Sequence, residues 1–243
     1  MGCTAEPPSG SPATKELVAA DQGIGSTKGT ETRSESTSTG EFDSQIADLL
    51  SGKSEKLLLR VDPISSQQLA KLAECEELLD LLLDAGGVTD ADMKTIAQLE
   101  STEHLRIRQA TISDRGLEAL CAGKLEQLAI LNLPQAQISA AGIRHLQRLP
   151  SLTNLRLGGK QIDDAAVAEI AQLPKLRSLH LIAPAITGAS LRSLAEAPKL
   201  VSFYLDDCDL PDADWNALFD AKPNLHVHVD QQHHDRDPSK HEH

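Results

Sequence analysis

Six apolar columns recur along this sequence at a fixed step, and they leave the chain few folds to choose from. Leu128, Leu152, Leu176 and Leu200 stand 24 residues apart, and the same step links Leu131, Leu155, Leu179 and Phe203. It also links Leu133, Leu157, Leu181 and Leu205, then Ile138, Ile162, Ile186 and Leu210. Ile143, Val167, Leu191 and Trp215 form a further column, as do Leu146, Ile170, Leu194 and Leu218. Earlier units carry Leu105, Ile107, Ile112, Leu117 and Leu120, then Leu81, Leu83, Val88, Met93 and Ile96, then Leu57, Leu59, Ile64, Leu69 and Leu72. Seven units therefore fill residues 56–224. A step this short gives each unit one strand and one helix. That is too little to bury an apolar face alone, so the units must stack on one another.

Each unit reads LxxLxLxxxxI, followed by polar residues and then an apolar pattern at helical spacing. The first part alternates with period two, which predicts a short strand. In the second part, Val167 and Ile170 are spaced to share one face of a helix. Ser113 or Asp114, Ser139, Asp163 and Thr187 stand where helix N-caps belong, and their side-chain oxygens can accept the free backbone N–H groups there. Pro150, Pro174, Pro198 and Pro223 follow the helices and stop them. Phe42, Ile46, Leu49 and Leu50 recur on one helical face and predict a capping helix over residues 42–55. At the other end, residues 225–230 alternate and keep the repeat step, with Val227 and Val229 following Phe203 and Leu205. They predict a terminal capping strand whose polar face and charged exit discourage further pairing.

These columns resemble leucine-rich repeats, over about two-thirds of the chain. They are most similar to 24-residue, bacterial-type variants with an "ITD" segment, here Ile162-Asp163-Asp164 and Val88-Thr89-Asp90. The resemblance implies an α/β fold: a right-handed solenoid, or horseshoe, with a concave parallel β-sheet and convex helices. It also implies a non-enzymatic module that binds a protein or peptide in the concave face. One departure concerns the ninth position of the unit, where such repeats often carry Asn or Cys bonded to the backbone. Here that column reads Asp62, Gly86, Ala110, Ala136, Lys160, Pro184 and Cys208, so the usual Asn ladder is missing.

Outward strand positions form columns of their own. One runs Leu58, Leu82, Arg106, Asn132, Arg156, His180, Tyr204 and His228, with Lys56 to His226 on one side of it and Arg60 to Asp230 on the other. The middle of this face is expected to be basic, through His104, Arg106, Arg108, Arg156 and His180. Arginine forks suit carboxylates and Tyr204 offers an anchor, so these residues are the candidate partner-binding set. The bland alternative is a solvated sheet face that must be covered by something polar.

Against a formal charge of −13 and 2% aromatic residues, nucleic acid is a poor partner: the chain repels phosphates and offers few stacking platforms. There is no Gly-rich phosphate loop, G-x-S-x-G elbow or HExxH motif, so no catalytic residue and no cofactor are assigned. The cysteines, Cys3, Cys75, Cys121 and Cys208, are scattered without CxxC pairing and suit neither a disulfide framework nor a zinc site.

Residues 1–41, rich in Ser, Thr, Gly, Pro and Glu, read as a disordered tether. Met1-Gly2-Cys3-Thr4 ahead of that tether resembles a bacterial lipoprotein junction, although no signal segment precedes it. Lipidation of Cys3 would place the protein in the bacterial cell envelope; otherwise the expectation is a cytoplasmic protein, with a membrane contacted only through such an anchor. Six of the nine histidines follow residue 224, so the alternative function is metal binding or sensing. His226 and His228 project from one strand face and are the candidate ligands. Residues 231–243 read as a disordered His-rich tail that supplies any remaining ligands.

Overall fold

The computed structural model describes residues 38–238. The expected tether, with Cys3, lies outside that span except for its last four residues, which already belong to helix α1 (Ser38–Leu50). The helix thus starts one turn ahead of Phe42. That side chain is buried, and an anchored helix carries the backbone that precedes its first anchor into the same spiral.

Strands and helices then alternate: β1 (Lys56–Leu59), α2 (Ser66–Lys71), β2 (Asp80–Leu83), α3 (Met93–Ile96), β3 (His104–Ile107), α4 (Asp114–Cys121), β4 (Ile130–Leu133) and α5 (Ala140–Ile143). The alternation continues through β5 (Asn154–Gly158), α6 (Asp164–Ile170), β6 (Ser178–Ile182), α7 (Gly188–Ala195), β7 (Ser202–Asp206), α8 (Asp212–Ala221), β8 (His226–Val229) and β9 (Gln232–His233). The strands form one sheet in sequence order, parallel from β1 to β8. Its register follows the repeat step: Leu57 pairs with Leu81, Leu81 with Leu105, Leu155 with Leu179 and Phe203 with Val227. One face of every strand therefore stacks into a continuous core, in which Leu81, Leu105, Leu131, Leu179 and Phe203 are fully buried. The column two residues on, from Leu59 to Leu205, is buried beside it, and the helix columns close over both.

What fastens one helix layer to the next is a set of carboxylates. Asp90 accepts from the backbone N–H and hydroxyl of Ser113, and Asp114 accepts the same pair from Ser139 at 2.8 and 2.6 Å. Asp164 accepts from Thr187 and also from Ser190. The receiving helix makes room: a Cβ on Gly116 would sit 2.2 Å from Asp90 Oδ1, and one on Gly142 would sit 2.2 Å from Asp114 Oδ1. Not every joint has this carboxylate: the equivalent position is Ala140 in the unit after Asp114 and Gly188 in the unit after Asp164. The helix that Ala140 faces carries Asp163 at its own N-cap and Ala166 where Gly116, Gly142 and Ser190 stand in α4, α5 and α7. The strand exits are held without an Asn ladder, by backbone bonds between units such as Gln137 N–H to the Ile112 carbonyl and Ala185 N–H to the Ile162 carbonyl, both 2.8 Å.

Both edges of the sheet are closed by side chains. On β1 the Gln45 amide of α1 donates to the Leu58 carbonyl and accepts from the Leu58 N–H, standing in for a missing strand. At the far end two expectations are corrected. Strand β8 is not terminal, and the residues after Asp230 do not form a disordered tail as far as Pro238. Asp230 and Gln231, both at positive φ, make a two-residue turn, and β9 returns antiparallel along β8. The segment is polar, yet its groups satisfy the edge: Asp237 accepts from the Val227 N–H, and the His234 ring packs on Trp215 and Phe219.

Candidate functional site

The helix-free face of the sheet carries the predicted residues side by side. Arg106 on β3 is in register with Asn132, Arg156, His180, Tyr204 and His228 on the strands that follow. Their charges, however, are paired within the face. Arg106 donates through Nε and a terminal nitrogen to the two oxygens of Asp84, at 2.8 and 2.6 Å, and Arg108 Nε lies 3.8 Å from the same carboxylate. His104 meets Asp80 at 3.1 Å, and His180 Nε2 meets Asp206 at 2.7 Å. Burial depresses the pKa of His104, a shift that Asp80 opposes and Arg106 and Lys56 reinforce. Burial likewise depresses that of His180, against the bond to Asp206 and with the charge of Arg156. The expected basic patch is thus a strip of acid–base pairs whose side chains are half-buried and held in place. Arg106–Asp84 and His180–Asp206 run diagonally between columns, so reading along each column does not pair them, whereas Asp80 and His104 are in-register neighbours within one column.

At the C-terminal end of the same face lies a second cluster. Strand alternation puts His226 and His228 on one side, with ring centroids 4.7 Å apart. The hairpin sets His233 opposite His228, with centroids 4.1 Å apart. Asp237, whose side chain is fully buried, brings one oxygen to 3.0 Å from His226 Nδ1 and 3.4 Å from His233 Nδ1. One potential ligand atom from each of these four residues lies within 4.8 Å of the rest. Tyr204 borders the cluster, its ring 5.1 Å from that of His228.

No protein-family model matches the chain, and neither does any curated protein. Among solved structures it is similar to internalin C2 from Listeria monocytogenes, with a TM-score of 0.55 and 21% identity, covering 76% of this chain and 83% of that one. The chain has the leucine-rich-repeat fold. Its solenoid, described above from β1 to β9, agrees with the architecture that the repeat columns imply.

On this leucine-rich-repeat scaffold the structure brings His104, Arg106, Arg108, Arg156, His180 and Tyr204 onto one face, and adds His233 and Asp237 to His226 and His228. The last two additions were hidden because Asp230-Gln231 lacks the Gly that usually announces a two-residue turn. Among the described residues, the thiols play no part in either cluster. Cys75 and Cys121 are buried, and burial pushes the Cys121 thiol up to about 12, so it stays protonated and inert. Among the described residues, no helix is long and apolar enough to cross a membrane.

Proposed function

We propose that the chain is a non-enzymatic recognition module that binds a protein or peptide on the helix-free face of its sheet, between β3 and β7. The observation that carries this reading is the rigid polar strip on that face. Arg106 spends two of its N–H donors on Asp84, and a guanidinium carries five, so this pairing leaves donor capacity for a ligand. Arg156, His180 and Tyr204 continue the strip. Side chains immobilised in advance lose little conformational freedom on binding, which favours affinity. Tyr204 supplies the aromatic anchor that such interfaces favour.

The test compares partner capture by the full chain with capture by two variants. One carries Arg108→Gln, Arg156→Gln and Tyr204→Ala on the open face, leaving the Arg106–Asp84 pair intact. The other carries Glu118→Gln and Lys175→Gln on the opposite side. Capture lost only in the first variant supports the reading. Capture lost only in the second, with both variants folded, overturns it and moves binding to the helices.

We further read Cys3 as a lipidation site that would hold the solenoid at a membrane through residues 4–37, in the cell envelope if the source is bacterial. Radiolabelled palmitate incorporated into the wild-type chain and not into Cys3→Ser is the expected result. Equal labelling of both would remove the anchor and leave a cytoplasmic protein as the reading.

A further inference from the structure

We propose that His226, His228, His233 and Asp237 form a binding site for one divalent transition-metal ion of the zinc class, and that the ion fastens the C-terminal hairpin across the end of the sheet. This goes beyond the recognition reading and does not depend on it.

The distances fit. Ligands held at about 2.0–2.1 Å around a tetrahedral zinc ion lie about 3.3–3.4 Å from one another. Asp237 Oδ2 is 3.0 Å from His226 Nδ1 and 3.4 Å from His233 Nδ1. The same oxygen also accepts the Val227 N–H at 2.6 Å, so three nitrogens converge on an atom with two lone pairs. An ion among them resolves the crowding, since the imidazole nitrogens then present lone pairs to the cation. The backbone N–H remains as the outer bond that orients the carboxylate.

His228 gives an independent sign. Its Nε2 is buried and has no hydrogen-bond partner among the described residues, while the ring bonds the Gln231 backbone through its other nitrogen. A metal-ligating histidine has this arrangement: one nitrogen fixed by a carbonyl, the other turned to the ion. Burying a polar atom with no partner otherwise costs stability. The donor set of three imidazoles and one carboxylate also selects the cation. Calcium and magnesium take oxygen ligands, whereas zinc and its neighbours take nitrogen.

The ligands come from β8, β9 and the residues after them, so an ion adds a cross-link to segments already joined by a two-residue turn, a short strand, the Asp237–Val227 bond and the packing of His234. The expected result is that the full chain, stripped with EDTA, binds one equivalent of Zn2+ in competition with a chromophoric chelator, and that its thermal midpoint rises on binding. His228→Gln/His233→Gln should weaken binding by more than about 100-fold and abolish the rise. His241→Gln/His243→Gln, beyond the site, should leave both unchanged. Co2+ on the wild-type chain should give the intense visible absorption of a tetrahedral complex, a readout that needs no variant. Three results would each overturn the proposal: no Zn2+ binding, binding that follows His241 and His243, or a weak octahedral Co2+ spectrum.

Discussion

Replacing Asp164 by Ala probes how neighbouring units are fastened. The carboxylate accepts from Thr187 N and Oγ1 at 2.8 and 2.7 Å, and from Ser190 N and Oγ at 3.2 and 2.5 Å. The Thr187 groups are exposed and can turn to water, so their loss is small, about 1 kcal/mol or less. Ser190 is different: it is fully buried, and although its N–H also reaches the Thr187 carbonyl, its hydroxyl has only the carboxylate. Stranding a buried hydroxyl costs about 1–3 kcal/mol, toward the upper end when the lost acceptor is charged. Asp164→Ala should therefore destabilise the chain by about 2–4 kcal/mol in urea unfolding at neutral pH. Adding Ser190→Ala removes the stranded group and should recover about half of the loss. Adding Thr187→Asp then rebuilds the set that the chain already uses at Ala140, Asp163 and Ala166, and should recover about 1 kcal/mol more. If Ser190→Ala deepened the loss, or the triple variant were no better than the single, the carboxylate would not be acting as an acceptor for the next helix and the argument would fall.

Two further outcomes follow from the geometry. Gly142→Ala should destabilise by more than about 1 kcal/mol, because the new Cβ meets Asp114 Oδ1 at 2.2 Å, where the same change in an open helix stabilises. The cost should shrink in an Asp114→Ala background, and a stabilising Gly142→Ala in the wild-type chain would refute the close approach. The second outcome concerns pH. His104 and His180 have folded pKa values below their unfolded value of about 6.5, so the unfolded chain takes up protons first as the pH falls. Stability is full above that value and declines through the lowered folded ones. Urea midpoints at about pH 7.5 and about pH 5 should lie closer together in His104→Gln/His180→Gln than in the wild-type chain, with the facing Asp80, Lys56, Arg106, Asp206 and Arg156 unchanged. Asp164 lies outside that window. Burial alone would raise its pKa, but the bonds from Ser190 and Thr187 outweigh burial and lower it, so its contribution is lost only below the usual carboxylate range. Equal declines in variant and wild type would assign the pH dependence to other groups.

The fold was legible because stacking forces the same residue type onto the same position in every unit. Leu131, Leu155 and Leu179 announce both the strand and its register, and the expected caps Ser113, Ser139, Asp163 and Thr187 each sit at a helix start. Contacts between columns were not legible. Asp84 neutralises Arg106 across a diagonal that a column-by-column reading does not weigh. Asp90 and Asp114 reach forward into the next unit, and the small residues that receive them, Gly116 and Gly142, look in sequence like helix-weakening accidents. The C-terminal hairpin was hidden for another reason: its order comes from polar groups meeting polar groups, and hydrophobic periodicity carries no trace of that.

Where each unit touches only its neighbours, local opening starts at the joint with the fewest cross-links. Between α5 and α6, Ala140 sends no carboxylate forward and Asp163 serves its own helix, which leaves the Arg144–Glu169 surface pair to span those helices. Opening there would divide the solenoid into two blocks, and hydrogen exchange is expected to show each breathing as a unit. Arg106 and Arg108 ride on the first block; Arg156, His180 and Tyr204 ride on the second. A ligand lying along the whole strip would bridge them, so occupancy would slow exchange on both sides at once, far from any atom it touches.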